Sequence, residues 1–295
     1  MKFTIKLPDT LPRMSVESLL SDVWLVPKKQ RHFLRTKKHV RVNGVLADFS
    51  DIVQGSDELM LVFDETDFPV RTVAFGDKNL VRVLYEDEHL IIVNKPENMK
   101  THGNSDGDIA LVNHVAAFCN SPVFVVHRLD FETSGAILFA KNQFVLPILD
   151  AMLRERQIHR TYHALCAGHF QQAQFVIKKN IGTDRHDKKR RIIVAQGGQT
   201  AVTNVRVLKP FPSESLVACQ LDTGRTHQIR VHLASLGHAI LGDSLYRGRK
   251  SSRLMLHAKH LELTQPFTNK KIRVTADSES FEQALSPRKQ RQTRG

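Results

Sequence analysis

Residues 136–140 read Ala136-Ile137-Leu138-Phe139-Ala140, an unbroken apolar run, and a second run, Val123-Phe124-Val125-Val126, precedes it. Short runs rich in β-branched and aromatic residues, bounded by polar turn residues, predict buried strands. Between them stands His127-Arg128-Leu129-Asp130-Phe131-Glu132-Thr133-Ser134-Gly135. The chain must leave a sheet, display a carboxylate among basic and hydroxyl side chains, and return. Groups on a connection held by rigid strands are favoured positions for chemistry. Asp130 is therefore the first candidate catalytic residue.

The remainder decides what kind of sheet this is. Strand patterns recur at residues 81–85, 90–93, 162–166, 192–194, 203–208, 216–221 and 271–274, whereas helical patterns occupy only 111–119, 143–156 and 226–236. Many strands with few interspersed helices do not give a regular βαβ alternation. The expected fold class is α+β: a mixed, largely antiparallel β-sheet domain with flanking helices and loops, preceded by a small α+β unit. At 295 residues the chain can bury one large core or a core with an accessory domain. The expected division is residues 1–70, 71–285 and a tail, 286–295, that is polar and basic and predicted to be disordered.

The first unit carries helix-compatible segments at 15–20 and 28–38. Val40-Arg41-Val42-Asn43-Gly44-Val45 then alternates into an Asn-Gly turn, a hairpin signal. A last apolar strand covers 59–63, and the acidic, proline-containing stretch 64–69 reads as a linker. No acidic residue lies between Asp22 and Asp48, while Lys28, Lys29, Arg31, Arg35, Lys37, Lys38 and Arg41 all fall in that interval. On so compact a unit this is a surface for phosphates rather than a merely solvated helix face. Over the whole chain 43 Lys and Arg face 30 Asp and Glu, a formal net charge of +13, which favours a polyanionic partner. No stretch approaches the ~18 consecutive apolar residues of a membrane span. The N-terminal residues lack the apolar block of a secretory signal. Cys119, Cys166 and Cys219 are scattered, without Cys-x-x-Cys spacing, which argues against a disulfide framework and a zinc site and for a cytoplasmic protein.

Three further segments could carry chemistry. Residues 216–221 predict a strand that ends at Thr223-Gly224, and a helix follows with Ile229, Leu233 and Leu236 on one face before Gly237 stops it. Arg225 and Thr226 thus stand at a strand-to-helix junction, where a helix N-terminus favours anions, although a merely capping arginine would look the same. His227 and His232 are spaced to point to different helix faces, so a shared metal is not expected. Arg160-Thr161-Tyr162-His163-Ala164-Leu165 opens another strand, with Tyr162 on its inner side. Finally Ile91-Ile92-Val93-Asn94-Lys95-Pro96 ends a buried strand in a turn.

Taken in order, Asn94-Lys95-Pro96, the His127–Gly135 nonapeptide, Arg160-x-Tyr162-x-Ala164-Leu165 and the segment from Thr223 through Gly237-His238 closely resemble the motifs of the RluA-type pseudouridine synthases. The likeness spans about residues 80–275 and continues into Ile240-Leu241-Gly242-Asp243 and Tyr246. The basic unit centred on Val40–Val45 resembles the small RNA-binding domain that this family shares with a ribosomal small-subunit protein. Phe131, where the family commonly has a basic residue, Ala239 and Arg247 are departures.

The resemblance implies an RNA pseudouridine synthase acting without cofactor or metal on ribosomal or transfer RNA. It implies Asp130 as the essential carboxylate, either a nucleophile or the base that starts elimination to a glycal. It implies Arg225 as the arginine that fixes and ionises Asp130, and Tyr162 against the uracil, placed to help remove the C5 proton. The target uridine should be flipped out of its stack. His127, Arg128 and Thr133 then line the RNA cleft, Leu256 packs beneath the site, and Lys28, Lys29, Arg31, Lys37, Lys38 and Arg41 contact RNA. No protein partner is expected, and the chain reads as a monomer. A non-enzymatic RNA-binding scaffold and a nucleoside hydrolase or base glycosylase are the alternatives. The intact Asp130, Tyr162 and Arg225 set speaks against the first, and the lack of an Asp-rich metal site or a second carboxylate speaks against the second.

Overall fold

A computed structural model describes residues 1–70, 72–105 and 107–292. The N-terminal unit comprises β1 (Lys2–Lys6), β2 (Met14–Ser15), α1 (Val16–Ser18), α2 (Lys28–Thr36), β3 (Val40–Val42), β4 (Val45–Leu46), β5 (Ile52–Val53) and β6 (Glu58–Val62). Four of the strands form an antiparallel sheet in the order β1-β6-β3-β4. Asn43 and Gly44 have φ of 50° and 81°, so the Asn-Gly turn takes the primed geometry that matches strand twist. Sequence patterning leaves β1 without an element, yet its Lys-Phe-Thr-Ile-Lys alternation buries Phe3 and Ile5 against Leu59 and Leu61.

The larger unit continues with β7 (Val83–Glu86), β8 (Leu90–Lys95), α3 (Leu111–Cys119), β9 (Phe124–Val125), β10 (Ser134–Ala140), α4 (Val145–Arg154) and β11 (His159–Ala167). It then adds β12 (Gln174–Lys178), β13 (Asn180–Thr183), β14 (Arg191–Val194), β15 (Val202–Phe211), β16 (Glu214–Leu221), α5 (Gln228–Ala234), β17 (Leu256–Thr264), β18 (Lys271–Thr275) and α6 (Glu279–Gln292). One large sheet runs β12-β15-β16-β11-β17-β10-β8-β7, with β9 added to β10 and β18 to β17. Every named pair in it is antiparallel except β10–β17, which meet through Ser134↔His257 and Gly135↔Ala258. The fold is thus the mixed, largely antiparallel α+β class.

The position of β17 could not be read from its residues. Its first half holds Leu256, the buried His257, Ala258, Lys259 and His260, so no apolar run announces a central strand. Gly135 is what lets β10 approach it. A Cβ at Gly135 would stand 2.2 Å from the Ala258 carbonyl oxygen, and its φ of 119° is a conformation side chains rarely adopt.

Apolar residues of β8 and β10 are continuous because both sheet faces are covered. Leu90, Ile92, Ala136, Leu138 and Ala140 enter one core; Ile91, Val93, Ile137 and Phe139 enter the other, with Leu111 and Val115 of α3 and Phe281 and Leu285 of α6. The first core is shared with the N-terminal unit. Phe144, at the start of α4, lies 4.8 Å from Phe3 and 5.1 Å from Phe63 between ring centroids, and Trp24 meets Phe267 edge-on at 4.9 Å. The two units therefore share one hydrophobic core. At the other end of the chain, α6 carries helical backbone through Gln292 where sequence alone predicts a disordered tail from Ser286; Phe281 and Leu285 anchor it. Residues 293–295 of that tail lie outside the described ones.

Candidate active site

The connection from β9 to β10 is pinned before it presents Asp130. Thr101 Oγ1 donates to the Leu129 carbonyl at 3.0 Å and accepts from the Leu129 N–H at 3.2 Å. Leu129 itself is buried, and the Thr133 N–H closes a turn on the Asp130 carbonyl. Behind the turn Lys95, fully buried at the end of β8, donates to the carbonyls of Pro96, Met99 and Phe131 at 2.9, 2.7 and 3.1 Å. Burial pulls the Lys95 ammonium down, to about 7, against the charges of Asp130 and Glu97. Its three donated bonds nonetheless require the ammonium form, since a neutral amine has only two N–H groups. Asp130 is thus displayed from a rigid loop.

A cavity of about 710 Å³ opens over it, lined by Arg128, Asp130, Thr133, Arg160, Tyr162, Arg225, His227, Arg230 and Leu256 among others. The arginine that reaches Asp130 is Arg230, not Arg225. Arg230 Nη1 stands 3.4 Å from Asp130 Oδ2 and Nη2 stands 3.4 Å from Glu132. Its Nε and Nη2 donate to the fully buried Asp243 at 2.8 Å each, a bidentate pair. Burial alone would lower the Arg230 pKa, but the hydrogen bonds to Asp243 and the charges of Asp243, Asp130 and Glu132 raise it. Asp243 holds the guanidinium and its free edge meets Asp130.

The reason lies in the junction. Gln228 opens α5 and clamps the approach: its Oε1 accepts from Thr223 Oγ1 at 2.8 Å and the Arg225 N–H at 3.0 Å, while its Nε2 donates to Val202 and Thr203. Arg225 precedes this clamp, is exposed on the cavity rim, and donates from Nε to the Thr200 carbonyl at 3.2 Å. Among the described residues no ion pair joins it to Asp130. Arg230 follows the clamp on a helix whose residues 228–233 are all buried. A signal existed in the sequence: an arginine between Ile229 and Val231 inside an apolar helix needs a buried carboxylate, which Asp243 supplies.

His227 precedes α5 with φ of 56°, and its Nε2 is 3.8 Å from Asp130. The Tyr246 hydroxyl accepts from the Arg191 N–H at 2.9 Å and lies 3.2 Å from His227 Nδ1. Burial lowers the His227 pKa. His232 instead meets Thr203, 2.9 Å away, so the two histidines serve different places.

Tyr162 is buried on β11 and its hydroxyl has no hydrogen-bond partner among the described residues. Burial raises its pKa, which keeps the phenol protonated at neutral pH. His127 accepts the Leu138 N–H at Nε2, and burial pushes its pKa down to about 3, so it is a neutral wall residue rather than a cationic contact. Arg128 is exposed at the cavity, Leu256 forms buried lining, and Thr133 keeps a buried hydroxyl without a partner among the described residues.

In the N-terminal unit the basic residues divide. Arg31 and Arg35 both pair with Glu17, and Lys37 reaches Asp64 at 2.8 Å and Asp67 at 2.5 Å. Lys28, Lys29, Lys38 and Arg41 are exposed and have no acidic partner among the described residues. Of the expected six-residue contact set, Arg31 and Lys37 are thus engaged in internal ion pairs, and the other four have no acidic partner among the described residues.

Comparison with known proteins shows the family to which the whole chain is similar. The family model for RNA pseudouridylate synthase matches residues 89–235, and that for the RluD ribosomal pseudouridine synthase N-terminal domain matches residues 3–59. An uncharacterized RNA pseudouridine synthase of Bacillus subtilis is 39% identical, covering 80% of each chain. The ribosomal large subunit pseudouridine synthase D of Xylella fastidiosa is 36% identical over 80% of this chain and 77% of that one. Synthase C of Vibrio cholerae is 32% identical over 90% of both. Among solved structures, human RNA pseudouridylate synthase domain containing 1 is similar at TM-score 0.58 and 27% identity, covering 69% of this chain and 85% of the other.

Proposed function

The chain belongs to the RNA pseudouridine synthase family, enzymes that isomerise uridine in RNA to pseudouridine, and we propose that Asp130 is the carboxylate that drives this reaction here. The carrying observation is the meeting, in one cavity, of Asp130 with Arg230 at 3.4 Å and the buried Tyr162 ring. The isomerisation breaks the bond from uracil N1 to ribose C1′, turns the base, joins C5 to C1′, loses the proton from C5 and gains one at N1, so its atoms balance without redox or a group donor. Asp130 either attacks the ribose or uracil or removes a ribose proton to form a glycal. Both routes need the carboxylate free on one side and held on the other, and Arg230 holds it. Tyr162 packs against the uracil. Because its phenol stays protonated, it serves by contact and hydrogen bonding rather than as a phenolate base. Asp130 and the buried Tyr162 in the cavity wall meet a base only after it leaves its stack, and the exposed Arg128 and Arg225 line the same cavity to meet the flanking strand.

The proposed substrate is ribosomal RNA of the large subunit, in line with the similarity to the ribosomal large subunit synthases D and C, with Lys28, Lys29, Lys38 and Arg41 contacting its backbone. We assign the enzyme to the cytoplasm as a monomer; Cys119, Cys166 and Cys219 are all free, and no described helix is long and apolar enough to cross a membrane. Two measurements test the function. Mapping modified uridines in RNA from cells with and without the gene should reveal at least one pseudouridine lost from large-subunit ribosomal RNA. Purified Asp130→Asn protein should bind that RNA nearly as well as the parent yet form no pseudouridine; measurable turnover by it would remove Asp130 from the mechanism.

A further inference from the structure

Three arginines keep their side chains largely buried around the catalytic sheet, and the fold neutralises two. Arg230 has Asp243, Asp130 and Glu132; Arg253 has Glu97 at 2.9 Å. Arg160 has none. It is 9% exposed, makes no ion pair among the described residues, and its buried Nε has no hydrogen-bond partner. Burying a cation without a counter-ion is costly. A chain that does so at the wall of a cavity leaves the charge for a ligand.

The placement is specific. Arg160 lines the same cavity as Asp130 and alternates with Tyr162 on the buried face of β11. One pleat repeat, about 7 Å, separates them. The strand register shifts between Thr161 and Tyr162 where β17 bulges alongside, the kind of feature that re-aims side chains beside a site. Gly224, at the β16–α5 junction, keeps the guanidinium open: a Cβ there would stand 3.2 Å from Arg160 Nη1 and 3.8 Å from Nη2. On its other sides are His127 and Tyr162, both held uncharged by burial.

We infer that Arg160 binds a backbone phosphate of the RNA next to the flipped uridine, an anion site built into the wall of the catalytic cavity. A planar fork with unused donors suits two phosphate oxygens, whereas a neutral uracil carbonyl would leave the charge unmatched. With the base against Tyr162, a phosphate one pleat away fastens the nucleotide at two points and keeps it from rotating out as a unit while the free base turns. The inference rests on the synthase reading of the cavity and adds to it where the sugar–phosphate chain is gripped.

The test uses the full-length protein and short synthetic RNAs spanning the uridine mapped as described above, with each phosphate near it replaced singly by a neutral methylphosphonate. For the parent enzyme one linkage should stand out, its neutralisation lowering kcat/KM and RNA affinity about tenfold or more. Arg160→Met should show a loss of that size on unmodified RNA and no further loss at that linkage. Arg160→Lys should recover part of it. Arg160→Met should also melt at the parent's temperature or higher, since replacing an unpaired buried cation by an apolar side chain removes a penalty. Equal linkage effects in parent and Arg160→Met, or a lowered melting temperature with kcat/KM intact, would overturn the phosphate site. Failure of the synthase reading looks different: the linkage dependence of binding persists while the uridine is never converted.

Discussion

Asp130 receives its geometry from residues that are remote in sequence. Arg230 is the one that faces it, and Arg230 in turn is fixed by a bidentate pair with Asp243. A lysine cannot span both partners with one head group, so an exchange that keeps the charge still breaks the arrangement. Arg230→Lys should lower kcat by about 10²-fold, the effect expected when a reacting group is displaced by about an ångström. Arg225→Lys should stay within a few-fold of the parent, because Arg225 sits on the exposed rim. Single-turnover kinetics on the mapped RNA measure both; equal losses at the two positions would mean that Arg225 and not the ion pair controls Asp130. The same scale shows why Arg225 is the arginine that sequence points to. Arg225 stands at the strand-to-helix junction, where a helix start favours anions, and the family resemblance implies the same residue.

Among the elements, β10 and β17 carry the site between them, and their contact depends on a missing side chain. Gly135→Ala would place a methyl group against the Ala258 backbone in a conformation unsuited to it. We expect this substitution to cost about 2 kcal/mol or more in stability, read by urea unfolding, and to weaken catalysis through the nearby Asp130–Thr133 turn. An unchanged midpoint would show that the two strands separate freely. The strands flanking the nonapeptide were legible because their residues are apolar on both faces, and α3 and β16 were legible from periodicity. β17 was hidden because buried polar groups replace apolar ones within it: His257 accepts from Ser134 Oγ at 2.8 Å and donates to the Ala276 carbonyl at 2.9 Å. Those partners satisfy it in place, and local hydropathy carries no trace of them.

Across the whole molecule, the N-terminal unit is held to the catalytic sheet through α4. Phe144 begins that helix between Phe3 and Phe63, Gln30 donates to the Gln143 carbonyl at 3.3 Å, and Leu153 and Arg154 at the helix end line the catalytic cavity. Truncating the fully buried Phe144 should cost about 3–5 kcal/mol. The shared core predicts one melting transition for the parent, and Phe144→Ala should split it into two in calorimetry; one transition, merely lowered, would show that the units unfold together without this contact. A second whole-molecule property is pH dependence. Burial lowers the pKa of His127 to about 3 and those of His163 and His257 to about 4. Between these values and the ordinary histidine value of about 6.5, the unfolded chain binds more protons than the folded one, so stability rises with pH. The melting temperature should therefore fall as the solution is acidified from pH 6.5 towards pH 4. A flat profile in that window would mean that these rings are charged in the folded protein.

By itself the sequence determined most of the elements and part of the cavity lining: apolar runs around a displayed Asp130, Tyr162 on an inner strand face, a basic N-terminal unit and a helix that starts near Arg225. These follow from periods of two and near four residues, which report burial between close neighbours in the chain. Tertiary structure alone decided which side chains meet. The pairing of Arg230 with Asp130 spans 100 residues of chain, β17 enters the sheet centre by pairing with β10, β11 and β18, and Arg160 is distinguished by the carboxylate it lacks. Coulomb attraction, desolvation and hydrogen-bond satisfaction act through space at a few ångströms, so their outcome is fixed only when the fold has brought those groups together.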